Sequence, residues 1–512
     1  VIAPVVAIRS RPRPARCGYD IRVIYLIHMK GRSLMTLRQT TTSIRSSRAL
    51  LISALTALAA FASFPSKVVA QEKPSSGFYI KVGEANLKKS PLAIPPFQFT
   101  GSPAVAKDSI RLGKDLYDVF YHDMFASGYF DMMKQDAFLE DTSKVGLKPA
   151  SQEAGGFNFS SWKQIKADFL VRVGFHVTGD QLTADTYVYY VPQEKTVLSK
   201  TYRAKPGDVR TLAHTFANDV VKELTGKKGF FLSKIVTSRT TQPGQKEIFV
   251  LDWDGANSRQ ISSHKTIAQS PTWSWDGKTI AYSAFAYHVK EKSRNLDLFT
   301  YELASGRRFL VSYKNGINSG ASFTPDDRHL LLTVSSSGNP DIYRMTVDGK
   351  SLERLTNGPG GAMNVEPAMS PDGKKIAFSS TRSGKPMIFT MDSSGGGVKR
   401  LTEAGVYNST PAWSPDGTRI AFAGFDTNHF DIFIMDADGT HMSRLTMAKR
   451  NDGKMANNED PTFSPDGRHI LFRSDRTGKY QLYMVSVDGQ DEIQLTKDQF
   501  DYFKPRWSPF LD

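Results

Sequence analysis

Cysteine is almost missing from this 512-residue chain, since Cys17 is the only one. A disulfide framework and a cysteine-based metal site are thereby excluded. No Gly-x-Ser-x-Gly occurs anywhere, so the strand-to-helix turn that presents a hydrolase serine is absent from the sequence. Acidic residues are scarce at the start: residues 1–70 hold eleven Lys and Arg against the single Asp20. That imbalance accounts for most of the formal charge of +15, and the rest of the chain is close to balance. A basic surface for nucleic acid is therefore not expected of the folded part. Long apolar runs are lacking too. The main one, Ala49–Ala62, is too short to span a bilayer comfortably.

That run has the features of a leader. Arg38, Arg45 and Arg48 precede it, and Val68-Val69-Ala70 supplies small residues before a cut expected at Gln71. Residues 35–70 are accordingly read as a signal peptide and residues 1–34 as upstream read-through. A membrane anchor is the competing reading, disfavoured because the apolar stretch ends in Pro65 and Lys67. The expected mature chain is exported and carries no integral membrane segment.

What the sequence has in quantity is repetition. Aromatic or Met anchors stand at Trp273, Phe323, Met369, Trp413, Phe463 and Trp507, spaced 44 to 50 residues apart, the length of one four-stranded propeller blade. Five of them open a turn of the type SPDG, followed by alternating strands such as KKIAFSS and MIFTMD. Asp-Gly pairs at 254–255, 348–349, 438–439 and 488–489 mark hairpins between the last two strands of a blade. A calcium-loop reading of these turns fails for want of a third oxygen ligand and a distal Glu. Six opening segments exist, yet nothing follows the last, KPRWSPFLD, while residues 234–262 hold three strands with no opening segment. The final segment is thus expected to join the first blade and close the ring.

Residues 71–229 show no such period. FLVRVGFHVTGDQLTADTYVYYV reads as a hairpin turning at Thr178–Gln181, and DVRTLAHTFANDVVKELTG as a helix with Asp208 as N-cap and Gly226 past its end. An amphipathic helix is expected from Ala106 to Phe130, with Ile110, Leu112, Leu116, Val119 and Phe120 inward, and a surface loop at 152–161. His214 has no metal-ligand or general-base pattern and reads as a packed histidine; His122, His176 and His288 look equally isolated. The fold class is an α+β N-terminal domain, residues 71–229, followed by an all-β six-bladed β-propeller, residues 230–512, closed by the C-terminal strand.

An exported α/β domain containing WKQIKADFLVRVGFHVTGDQL and LAHTFANDVVKELTGKKGFF, running into six PDG repeats that end on WSPFL, resembles the TolB family. The resemblance implies a periplasmic, monomeric, non-enzymatic scaffold of the Tol–Pal envelope system, without cofactor or metal. Such a protein supports outer-membrane integrity and constriction at division, and in some bacteria colicin entry. It implies that the lipoprotein Pal docks at the mouth of the propeller channel and that TolA takes the mature N-terminal segment. The mouth segments here are INSG, MNVEP, YNSTP and NNEDP, giving Asn318, Gly320, Asn364, Val365, Glu366, Asn408, Asn457, Glu459 and Asp460 as the candidate Pal face. Phe78, Tyr79 and Ile80 are the candidate TolA segment, apolar but without the charges of the family's segment. The rival readings are a ligand- or cell-wall-binding propeller using Tyr407, Tyr502 and Phe503, and a propeller-gated peptidase.

Overall fold

A computed structural model of the protein describes residues 89–103, 106–290 and 292–511. The expected leader, the upstream stretch and the Phe78–Ile80 segment lie outside the described residues. No described helix is long and apolar enough to cross a membrane.

The N-terminal part is a six-stranded mixed sheet with helices against it. Strands β1 (Ser90–Ala93) and β2 (Gln98–Phe99) run parallel to β4 (Phe169–Thr178), β3 (Phe130–Met132) pairs with β1, and β4, β5 (Gln181–Tyr190) and β6 (Lys195–Ala204) form an antiparallel meander. Helices α1 (Ala106–Ala126) and α3 (Val209–Thr225) pack together through rings such as Phe120 on Phe216, 4.3 Å apart. The expected α1 is four residues too long, because Phe130 is taken by β3. Ile110 is exposed rather than inward; Leu116, Val119 and Phe120 form the buried face. The 152–161 segment is also not all surface: Phe157 and Phe159 are buried, and Phe159 opens α2 (Phe159–Gln164). Asp208 stands at the start of α3 but makes no capping bond, whereas Gly226 ends it in the left-handed conformation.

Beyond Gly226 the chain enters the propeller through Phe230 and Phe231. Gly229 lets it pass: a Cβ there would lie 2.3 Å from Asn218 Oδ1, the atom that accepts the Phe231 amide. Phe230 meets Trp253 and Trp507 edge-on, at 5.2 and 5.4 Å, so one hydrophobic core runs from α1 and α3 into the first blade.

Six four-stranded sheets follow, and the strand order proves the split blade. Blade 1 consists of the closing strand Tyr502–Trp507, then β7 (Lys234–Gln242), β8 (Gln245–Asp252) and β9 (Arg259–Gln260). Inner strands Ala268–Trp273, Asn318–Phe323, Asn364–Met369, Tyr407–Trp413 and Asn458–Phe463 open blades 2 to 6. The turns after them are locked locally. In blade 4, Ser370 Oγ donates to Asp372 Oδ1 (2.6 Å), which also accepts the Lys374 amide (3.0 Å). The Asp is consumed by its own turn, as the sequence implies.

The domain junction contains a buried titratable pair. His214, packed at this junction, has its Nδ1 2.7 Å from Asp123 Oδ2, a carboxylate 91 residues away. Around it, His122 stacks on Trp253 and Arg210 bonds Asp254. Burial pushes the Asp123 carboxyl up to about 6. Burial opposes protonation of His214, but the Asp123 carboxylate outweighs it and raises the imidazole. Both groups bind protons more tightly folded than unfolded, but over different windows. The Asp123 contribution is full only below its ordinary value of 3.8 and is largely lost by about pH 6. The His214 contribution is present below its ordinary value of 6.5 and is lost as pH rises through its raised value. Asp123→Asn removes the partner that raises His214. The stability difference between the native protein and Asp123→Asn, from denaturant midpoints, should be larger at pH 6 than at pH 8.

Candidate functional site

The six inner strands enclose a channel, and each carries the same irregularity. The third-from-anchor residues Ser270, Gly320, Glu366, Thr410, Asp460 and Lys504 all have positive φ, between 48° and 63°, and the register with the second strand slips at each. Only one of the six is Gly. These bulges form the waist of the channel, and left-handed backbone at five side-chain-bearing residues is strain held in place by the ring.

Charge crosses this waist. Lys504 of blade 1 reaches Glu366 of blade 4, the opposite blade, with Nζ–Oε1 at 2.7 Å, and Asp460 of blade 6 at 2.9 Å. Glu366 Oε2 accepts the Thr410 amide (3.0 Å) and Asp460 Oδ2 the Lys504 amide (3.2 Å), so acids on two blades fix the bulges of their neighbours. Arg473 supports the set from behind, 2.6 Å from Asp460 and 2.8 Å from Glu459, with its guanidinium over Tyr480. Burial opposes the ionised forms, yet Lys504 and Arg473 hold Asp460 well below the usual carboxylate range. Burial likewise opposes a charged Lys504, and Asp460 and Glu366 raise it all the same. Glu459, by contrast, is pushed up by burial.

The asparagines of the candidate Pal face have a different place from the one expected. Asn318, Asn364 and Asn408 are buried, and the fourth in register is the buried Asn458, five residues before its anchor, not the half-buried Asn457. Each stitches its blade to the one before. Asn364 Nδ2 donates to Asp341 Oδ1 and Asn458 Nδ2 to Asp431 Oδ1, both at 2.8 Å, while Asn318 donates to the Leu296 carbonyl at 3.0 Å and Asn408 Nδ2 lies 3.2 Å from Met387 Sδ. Asn457 is bonded to Asp475. The side-chain amides of Asn318, Asn364, Asn408 and Asn458 are buried and spend their hydrogen bonds inside. Val365, Glu366 and Glu459 keep partial exposure, Gly320 lies at the waist, and Asp460 is buried in the ion network.

Exposed apolar side chains collect on this same, Asn-bearing side of the ring. Val406, Tyr407 and Met447 stand in or beside the approaches to the inner strands. Phe285, Tyr287 and Val289 lie on the long hairpin of blade 2, beside Tyr313. Of the aromatic rivals, Tyr407 is exposed, Tyr502 is buried with its hydroxyl on Asp498, and Phe503 sits under Arg473 and Lys246. His288, read as isolated, is 2.7 Å from Asp297. The N-terminal domain occupies the other side. There Arg468 and His469, just past a PDG turn, meet Tyr129 and Phe230. Among the described residues, His214, Asp252 and Asp254 come close enough to share a cation, but Arg210 and Lys234 already neutralise the two acids.

Two domains in this order have a known counterpart. A family model described as the TolB beta propeller domain matches residues 221–511, and one for the TolB amino-terminal domain matches residues 78–197. The chain belongs to the TolB family. Among its relatives, the Tol-Pal system protein TolB of Anaeromyxobacter sp. (strain K) is 33% identical over 320 residues, 62% of this chain and 67% of that one. The Tol-Pal system protein TolB of Desulfosudis oleivorans is 32% identical over 283 residues, 55% of this chain and 61% of that one. The chain thus spans about three fifths to two thirds of these TolB relatives. The crystal structure of TolB from Acinetobacter baumannii has the same fold, with a TM-score of 0.67 at 24% identity, covering 82% of this chain and 97% of that one.

Lys504, Arg473 and Arg506 were not among the residues expected from the TolB resemblance. The signal for the first was available: aligned on the anchors, Lys504 falls at the position of Glu366 and Asp460, opposite charges around one ring. Replacing Lys504 by Met leaves the half-buried Glu366 without its cation and the buried Asp460 with Arg473 alone, and should cost about 3 kcal/mol. Adding Glu366→Gln to Lys504→Met should recover part of that loss, read as coupling in a double-mutant cycle of unfolding free energies.

Proposed function

We propose that this protein is a non-catalytic scaffold of the Tol–Pal envelope system, working in the periplasm and binding Pal at the Asn-bearing mouth of its propeller. The observation that carries the reading is the pairing of the family's two domains with a mouth that carries exposed apolar and aromatic side chains. Protein contacts of this kind rest on a few aromatic anchors within a polar rim. Tyr407, Val406 and the Phe285–Val289 arm are the anchors available, with Val365, Glu366 and Glu459 at the centre. The described part of the N-terminal domain packs on the opposite side, at Arg468 and His469. TolA engagement falls to Phe78, Tyr79 and Ile80, which can add as a strand to a partner's sheet. A role in envelope integrity and division follows from these two partnerships.

A non-enzymatic role agrees with the site's chemistry. The acids at the waist, Glu366 and Asp460, are engaged by Lys504 and Arg473 in ion pairs, as structural rather than reacting groups would be.

Titrating the protein with the soluble domain of Pal from the same organism tests the reading. Binding on the order of 1 μM or tighter is expected, weakened at least tenfold by Tyr407→Asp with unchanged thermal stability. Absence of binding would return the function to a ligand-binding propeller.

A further inference from the structure

The waist divides the channel. On the side of the PDG turns it opens into a cavity of about 460 Å³, a volume in the range of small-molecule sites. The first tier above the waist is set by the residue preceding each anchor: Thr272, Ser322, Ala368, Ala412, Thr462 and Arg506. Five blades place a small side chain there and blade 1 places an arginine. Farther out, Trp275, Pro371, Pro415, Pro465, Pro509 and Phe510 make an apolar collar. The indole N–H of Trp275 is spent on the Phe323 carbonyl at 3.1 Å, so its ring is offered to the cavity as hydrocarbon.

Arg506 is the unusual member. Its Nη1 donates to the Pro505 carbonyl at 3.0 Å, and no carboxylate lies within ion-pair distance of it among the described residues. Asp460 and Glu366 act on it only at longer range, because Lys504 and Arg473 hold them. Arg506 is half-buried in the cavity wall, and its guanidinium stays charged with no counter-ion beside it among the described residues. The remaining donors of its planar fork suit a carboxylate taken on two oxygens.

We propose that this end of the channel binds a small monocarboxylate with an apolar body, the acid paired with Arg506 and the hydrocarbon against the Trp275–proline collar. The Thr272 and Thr462 hydroxyls, in the same tier, add donors beside the acid. The carboxylate can belong to a free organic acid or to a peptide chain ending in an apolar residue. This site lies on the far side of the waist from the mouth assigned to Pal, and it stands whether or not Pal binds there.

The test is isothermal titration of the full chain with 3-phenylpropionate and with N-acetyl-L-phenylalanine, using 3-phenylpropionamide and inorganic phosphate as comparisons. One-to-one binding with a dissociation constant on the order of 0.1–1 mM is expected for a ligand of about eleven heavy atoms. The amide and the Arg506→Ala variant should each weaken it at least tenfold. Arg506→Ala should keep its thermal midpoint, since two other blades carry Ala in that tier. Trp275→Ala should weaken both carboxylates while leaving the preference for acid over amide. Binding of only N-acetyl-L-phenylalanine would identify a peptide terminus, and binding of only 3-phenylpropionate a free acid. Equal binding of acid and amide, indifference to Arg506→Ala, or binding of phosphate but neither carboxylate would overturn the proposal.

Discussion

The pairing of the closing strand Tyr502–Trp507 with β7 joins residues more than 260 positions apart and carries more than the ring's continuity. An open array of blades would leave one exposed sheet edge at each end, and a propeller avoids this only by closing on itself. Here the closing strand also delivers the side chains that define the channel. Lys504 arrives opposite Glu366, Arg506 enters the tier above, and Trp507 donates to Ser233 Oγ at 2.7 Å beneath the domain junction. The last residues of the chain thus serve the ring, the channel and the contact with the N-terminal domain at once.

Strain and charge in the channel follow from this closure. Six bulged inner strands meet at the waist in left-handed backbone, which isolated strands of Glu, Thr, Asp or Lys would not adopt at these positions. The cost is met by a closed set of contacts. Acids on blades 4 and 6 accept the bulge amides of blades 5 and 1, and buried asparagines tie four blades to their predecessors. The result is a tube with two unlike ends. The Asn-bearing mouth offers exposed aromatic anchors suited to a protein. The PDG end offers a cation and an apolar collar suited to a small acid.

Much of this was legible in the chain itself. The anchors, the split first blade and the hairpins come from periodicity, which reports directly on strand packing. The left-handed stop at Gly226 and the Phe230–Phe231 entry are equally plain. The misreadings share a physical cause. Asn318, Asn364 and Asn408 repeat at one rim, and repetition alone does not separate a contact surface from a structural stitch; burial does. Asn457 and Asn458 are neighbours, and only Asn458 stands five residues before its anchor; one residue in a strand moves a side chain to the other face. His214 looked isolated because Asp123 is on another helix, 91 residues away. Arg506 and Lys504 share one short strand, and what they face lies on other blades, 44 to 138 residues away for Lys504.

The claim most worth testing is that the closing strand is a full member of the first blade. Native-state hydrogen exchange at the Ser508 and Thr240 amides addresses it, since these donate across the seam to the Lys234 and Asp501 carbonyls at 2.8 and 3.0 Å. If closure holds the ring, both amides exchange only with global unfolding, at the same free energy as inner-strand amides of blades 3 and 4. Exchange at the seam by a local opening several kcal/mol below the global value would contradict the account, leaving a ring that stands without its last strand.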